Sequence, residues 1–382
     1  MDFSKKEVTI ASAVPINNGD AALVFSLENS LLENDFITNI STYHYDLVKS
    51  FYPEKKLIKE ITDYYFFRKV PQLKPIAVKL FFPFKKEYKN SVAMISAPGG
   101  YINSYYGFYH ILELLKKAKQ AGKATGIYSQ SIGPLNKNDS KLLLNYSQHI
   151  DHIFVRDDFS DQQLKAINYP IEKYTLVEDG AFLIKPDFTN SINNKIAVSV
   201  RGWKHDNRNK SAYYKLIVSL VESAVNNGFD IDFISTCQGI EDYVNDSIIA
   251  KEIYLKLPKN IKSNCSIDDN YYNYSSFLNK LGDYKIVIGT RLHMCILALL
   301  KGIPAFNISY EIKGKECYKY LKIPELSIDY NEQNENALKK FNVFLNNIDI
   351  YKNKIKSTVE KQHENANQHF NLFLQKLKLI DY

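Results

Sequence analysis

Hydrophobic residues in this chain come in short β-rich runs, and the segments between them carry apolar positions at helical spacing. That alternation predicts strands at Val8–Val14, Val92–Ser96, Ala124–Tyr128, His152–Val155 and Tyr174–Val177. A second series follows at Ile196–Val200, Phe229–Ser235, Lys285–Ile288 and Ala305–Ile308. Helical patterns such as Ala21–Leu32, Ala212–Val225 and Val244–Leu257 separate them. Strands alternating with helices imply an α/β fold with parallel sheets, one three-layer domain in each half. The polar stretch Lys185–Lys195, which contains Pro186, marks the boundary. The expected organisation is a domain over 1–190, a second over 191–330, and helices over 331–382 that strap the two, with Leu345, Ile348, Ile355, Val359, Phe370, Phe373 and Leu377 on their apolar side.

Composition narrows the picture. A length of 382 residues suits two domains, and 45% hydrophobic with 24% charged residues excludes wholesale disorder. The four cysteines form no CxxC pair, which argues against a disulfide framework or structural zinc and favours a reducing compartment. No run of 18 apolar residues occurs and none follows the opening MDFSKKEV, so the expectation is a cytoplasmic protein. The net charge of +7 is uneven. Residues 51–90 hold ten basic residues against four acidic ones, a net +6, together with ten Phe or Tyr; the remainder carries +1.

Candidate chemistry sits in loops that follow strands. In Asn17-Asn18-Gly19-Asp20 a glycine permits a tight turn, and Asp20 can cap the helix that follows. Ala97-Pro98-Gly99-Gly100-Tyr101 lets a ligand approach the backbone, without the GK[ST] of a P-loop. Ser129–Pro134, with Gln130, forms a third loop. Three such loops open at one carboxyl edge of a sheet, where ligands bind in open α/β folds.

In the second half, Arg201 ends the first strand beside the only tryptophan, Trp203. The block Gly289-Thr290-Arg291-Leu292-His293 follows an apolar strand and opens an apolar helix, with Thr290 as the expected cap. Arg291, His293 and the exposed amides of a first turn make an anion pocket that contains an acid/base group. Lys313, past the next strand, adds a cation to the same edge. No HExxH, EF-hand or comparable cluster appears, so no metal is expected.

These pieces resemble the polysaccharide pyruvyl transferase family. The matching segments are NNGDAAL (17–23), APGGY (97–101), QSIGP (130–134), FVRDDFS (154–160), VEDGAF (177–182), VSVRGW (198–203), VIGTRLHMCILAL (287–299) and GIPAFNISYEIKGK (302–315). One departure is Glu178 and Gly180 where a more proline-like turn is expected, which leaves Asp179 without a role. The resemblance implies a GT-B-like fold: two Rossmann-like domains facing across a cleft, with C-terminal helices crossing back to the first. It also implies transfer of pyruvate from phosphoenolpyruvate onto two hydroxyls of a sugar in a cell-surface polysaccharide or its lipid-linked precursor, giving a cyclic ketal and phosphate. It carries Arg201, Arg291, Leu292 and His293 over as donor-site positions. Thr290 and Lys313 complete that site, His293 being the general acid and no separate cofactor being required. The acceptor sugar then lies against Asn18, Gly19, Asp20, Gly100, Tyr101 and Gln130.

Two other readings compete with this one. A GT-B glycosyltransferase using a nucleotide sugar shares the architecture. A nucleic-acid binder built on residues 51–90 leaves the glycine loops and the TRLH block without a task. The mixture of Phe and Lys in that segment points instead to peripheral contact with an anionic membrane carrying a lipid-diphosphate-linked sugar, through Lys85, Lys86, Phe81 and Phe82.

Overall fold

The computed structural model describes residues 5–189, 193–202, 209–238, 240, 245–310 and 312–381, with 312 and 313 described by their backbone alone. The chain divides into two compact units. The first comprises the residues up to Ile16, Asp20–Leu183, and those from Glu364 on; the second comprises Asn17–Gly19 and Ile184–His363.

Among the described residues the first unit holds an eight-stranded parallel sheet: β1 (Glu7–Ala13), β2 (Ile37–Thr42), β3 (Leu57–Lys59), β4 (Ala93–Ser96), β5 (Gly99–Ile102), β6 (Ala124–Ile132), β7 (His152–Val155) and β8 (Tyr174–Leu176). The order is β3-β2-β1-β4-β6-β7-β8, with β5 paired to β6. The strand order reverses direction between β1 and β4. Helices cover this sheet, and the C-terminal segment does part of that work: Tyr128 and Phe154 pack on Phe373 with ring centroids 5.0 Å away.

The second unit is built on β9 (Lys195–Ser199), β10 (Asp230–Phe233), β11 (Cys265–Ile267), β12 (Ile286–Gly289), β13 (Ala305–Ser309) and β14 (Ser327–Asp329), all parallel, in the order β11-β10-β9-β12-β13-β14. Counted from β9 this is 3-2-1-4-5-6, the doubly wound order of dinucleotide-binding folds, whose switch point lies between its first and fourth strands. Strands buried on both faces need apolar side chains on both, which is why IVIG and AFNIS read as continuous runs. The helix Leu292–Leu300 is apolar all round because almost all of it is buried. The helix Asn334–Asn346 lays Phe341 and Phe344 on Phe306 at 5.2 and 5.6 Å. The helix Ile348–Lys376 begins in the second unit and continues, from Glu364, in the first.

Several elements differ from the expectation. The chain continues past Ala97-Pro98 in the same direction along β6 as β5, so Gly100 and Tyr101 lie in a strand rather than in an open loop. β6 runs on to Ile132, which places Gln130 in a strand paired with Gly99 and Val155. β3, β11 and β14 are three residues each and too short to stand out by hydrophobic pattern. Among the described residues no helix is long and apolar enough to cross a membrane.

Candidate active site

The switch point of the second sheet gathers the residues that sequence singled out. Gly289 pairs in register with Ser199 on β9, and the Thr290 N–H donates to the Ser199 carbonyl at 2.9 Å. The chains leaving β9 and β12 therefore run side by side toward Arg201 and Arg291. A buried hydroxyl ties them together: Tyr213, on the helix Lys210–Asn226, accepts from the Arg201 N–H at 3.2 Å and shares a 2.8 Å hydrogen bond with Thr290 Oγ1. Thr290 is thus spent on Tyr213 and does not cap. The helix starts one residue later than expected, with Arg291 at its N-cap position and no side chain capping it, so His293 stands in an uncapped first turn. Gly289 is required here, because a Cβ would fall 2.2 Å from Cys295 Sγ on that helix.

Arg291 is not a lone cation. Its Nε and Nη2 donate to the two oxygens of Asp246 at 2.7 and 2.9 Å, a planar fork on a carboxylate that is 1% exposed. Burial alone would lower the guanidinium's proton affinity, but the charge and hydrogen bonds of Asp246 overcome this and hold it above its ordinary value. The pair is formally neutral. Arg291 consequently supplies a rigid donor face more than net charge.

Among the described residues Arg201 is held by an aromatic ring rather than by a carboxylate. Its guanidinium lies over the Tyr310 ring at 4.4 Å, and Nη1 also meets the Tyr310 hydroxyl. Nε is buried without a hydrogen-bond partner among the described residues. A donor in that state costs ~1–3 kcal/mol unless a ligand satisfies it. Tyr310 also acts electrostatically on Arg291, so one ring borders both arginines. Lys313 is the second residue of the helix Ile312–Tyr320, and Trp203 lies outside the described residues.

The NNGD turn joins this constellation. Asn18 N–H donates to the Thr236 carbonyl at 2.9 Å, and Gly19 lies against the His293 side chain so closely that a Cβ would come 2.8 Å from His293 Cβ. Only glycine admits the imidazole at this distance. The Asn18 amide oxygen is buried and has no hydrogen-bond partner among the described residues. It is an acceptor placed for a donating group such as a hydroxyl.

The remaining acceptor candidates belong to the first unit. The helix there begins at Asn18, so Asp20 is in its first turn and not its cap, where the helix dipole still favours a carboxylate. The Tyr101 hydroxyl folds back onto its own turn, bonded to the Ala97 carbonyl and, at 2.8 Å, to Ser96. Gln130 Nε2 donates to the Ser131 carbonyl at 3.2 Å, whereas its Oε1 is buried and unpartnered among the described residues. Gly100 is exposed. Asp179, which had no role, pairs with Arg156 at 2.8 Å, both buried. Glu178 beside it bonds His369 at 2.6 Å and raises that histidine's pKa.

The polysaccharide pyruvyl transferase family model matches residues 17–312. The chain belongs to that family. It is 24% identical over 301 residues to the amylovoran biosynthesis protein AmsJ of Erwinia amylovora, covering 73% of this chain and 71% of AmsJ. Among solved structures, a glycosyltransferase from Rickettsia africae aligns with a TM-score of 0.67 at 12% identity, covering 98% of this chain and all of that one. A putative UDP-N-acetylglucosamine 2-epimerase from Listeria monocytogenes aligns at 0.63 and 12%, covering 99% and 98%. At such identities these neighbours give the fold alone, which is GT-B-like.

For a polysaccharide pyruvyl transferase, the residues that sequence reasoning passed over are informative. Asp246 sits 45 positions before Arg291, in a polar stretch that carries no motif. Tyr213 reads as an ordinary core residue of an apolar helix, and its hydroxyl role needs the fold to be seen. Tyr310 lies in the NISYEIKGK segment, three residues before Lys313, where the lysine is the more conspicuous candidate for an anion. The useful signal was an aromatic immediately after a strand at the carboxyl edge.

Proposed function

We propose that this family member transfers pyruvate from phosphoenolpyruvate onto two hydroxyls of one sugar unit of a polysaccharide or of its lipid-linked precursor, as a cyclic ketal. The observation that carries the reading is the grouping at the β9/β12 edge: Arg201 held over Tyr310 with a buried Nε that has no partner among the described residues, an uncapped helix start, and His293 in its first turn against Gly19. Phosphoenolpyruvate bears a phosphate and a carboxylate, which call for fixed donors in a fork geometry and a helix N-terminus.

In this reading the first-turn amides and Arg201 take the phosphate, and Arg291, fixed by Asp246, orients the carboxylate. His293 gives its proton to C3 of the enol ether, and C2 becomes cationic. One sugar hydroxyl adds to C2 and loses its proton, phosphate leaves with the C2–O bond electrons, and the second hydroxyl closes the ketal. The sum is phosphoenolpyruvate plus diol giving ketal plus phosphate. A positioned general acid contributes about 10²–10⁴-fold to such a step. Asn18 Oδ1 offers an acceptor for one hydroxyl; the first unit by itself offers Gln130 Oε1 and Asp20 to an acceptor sugar.

Titration calorimetry separates this from nucleotide-sugar chemistry. Phosphoenolpyruvate should bind and Arg201→Ala should weaken it, while UDP and GDP should not bind. Tight UDP or GDP binding without a response to phosphoenolpyruvate would overturn the proposal.

A further inference from the structure

Seven of the eighteen large apolar or aromatic side chains exposed among the described residues lie between Tyr64 and Phe84. They are Tyr64, Tyr65, Phe66, Ile76, Leu80, Phe81 and Phe84, of which Phe84 is 83% and Tyr65 69% exposed. The patch is continuous: Phe66 packs on Phe67 at 5.6 Å and Phe67 on Phe81 at 6.1 Å, which joins the helix Tyr65–Lys69 to the helix Lys74–Phe81. Ile76 and Leu80, four residues apart, project from the face opposite Pro75 and Val78, which are buried. Monomeric proteins seldom leave so much contiguous apolar surface without a use for it.

The same stretch is strongly basic. Residues 64–90 hold seven Lys or Arg against a single acid, Glu87, a net +6. Arg68, Lys69, Lys79, Lys86 and Lys89 are exposed. Their acidic neighbours are buried and loosely engaged, Asp63 at 3.9 Å from Arg68 and Glu113 at 3.9 Å from Lys79. Not every aromatic belongs to the surface: Phe82 is buried against Tyr88 and drops out of the expected contact set. Apolar and aromatic tips set among cations match the interface of an anionic bilayer, where rings enter the headgroup region and cations face the surface potential.

The patch is anchored to the edge of the sheet that carries the acceptor candidates. Lys74 begins its second helix and lies over the Tyr43 ring at 5.4 Å, just past the end of β2, and Tyr43 meets His110 at 6.3 Å. Tyr43 in turn acts electrostatically with Glu60 and Tyr101.

We infer that residues 64–90 dock the enzyme on an anionic phospholipid surface and thereby hold the carboxyl edge of the first sheet near sugars carried on membrane lipids. From the proposed function this takes only the assignment of the acceptor to the first unit. The test is sedimentation of the full chain with vesicles of phosphatidylglycerol and phosphatidylcholine, with pure phosphatidylcholine as control. Binding should require the anionic lipid and fall as salt rises. Lys86→Gln/Lys89→Gln should weaken it about 25-fold, at about fivefold per cation. Leu80→Ser/Phe84→Ser should weaken it further at fixed charge, and both variants should keep the parental circular dichroism and melting temperature. Absence of binding, equal binding to pure phosphatidylcholine, or indifference to Leu80→Ser/Phe84→Ser would overturn the inference. Pyruvyl transfer to a soluble glycoside without vesicle binding would remove the docking and spare the activity; vesicle binding without transfer would do the reverse.

Discussion

Replacing Arg291 by Gln should destabilise the second unit, and not only weaken donor binding. The substitution leaves Asp246, 1% exposed, without its two charged hydrogen bonds of 2.7 and 2.9 Å, and among the described residues its side chain keeps only the Ser235 hydroxyl at 3.0 Å. Removing one partner of a buried ion pair costs about 3–5 kcal/mol, a large share of a domain's ~5–15 kcal/mol. With a urea m-value of about 2–3 kcal/mol/M, the midpoint should fall by roughly 1–2 M. Trp203, the chain's only tryptophan, lies in the sequence of the second unit and supplies its fluorescence signal. Asp246→Asn/Arg291→Gln removes both charges, so it should cost clearly less than the two single changes together. A stability within about 0.5 kcal/mol of the parent, or additive single and double variants, would show that the pair does not stabilise the second unit.

Three further outcomes follow from the same geometry. Gly19→Ala brings a Cβ within 2.8 Å of His293 Cβ, so turnover should fall at least about tenfold and overpacking should cost about 1–3 kcal/mol of stability; normal turnover would mean that His293 has room to move. Tyr310→Leu removes the stacking under Arg201, worth about 1 kcal/mol, so KM for phosphoenolpyruvate should rise about fivefold, whereas Tyr310→Phe should largely restore it. His369, whose pKa Glu178 raises, contributes stability that is complete below pH ~6.5 and lost as pH rises through the elevated value. The melting temperature should therefore lose more between pH 6 and pH 9 in the parent than in His369→Gln.

Acid should act in the opposite sense on two other histidines. Burial lowers His110 to about 3 and His152 to about 4. Both must charge on unfolding, so stability falls as pH drops below ~6.5. His152→Phe should blunt that decline, as followed by thermal melts between pH 4 and 7.

Local pattern made the sheets legible where strands were long and apolar, as at β1, β9 and β12, because burial on both faces leaves an unbroken run. It failed at β5, where a glycine pair that looked like an open loop carries the line of β4 onward along the longer β6. Side-chain direction was equally hidden. The Tyr101 hydroxyl turns inward to Ala97, Phe81 is exposed while Phe82 beside it is buried, and Thr290 bonds Tyr213 instead of capping. Each outcome depends on a partner far away in sequence. Arg291 and His293 could be placed at a helix start from the block around them, but the carboxylate that neutralises Arg291 could not, since Asp246 lies on the approach to a different helix. Charge at the site was therefore overcounted from sequence by one arginine.

Protonation of C3 of phosphoenolpyruvate by His293 during ketal formation can be read from the reaction run in D2O. The enzyme is given phosphoenolpyruvate and a panel of soluble and lipid-linked glycosides, and the products are read by mass spectrometry and NMR. The expected products are an acceptor heavier by pyruvate less one water, stoichiometric phosphate, and one solvent deuteron in the ketal methyl, with His293→Ala reducing all three at least about 10²-fold. Near-normal turnover by folded His293→Ala, or a methyl group without solvent deuterium, would contradict protonation by His293.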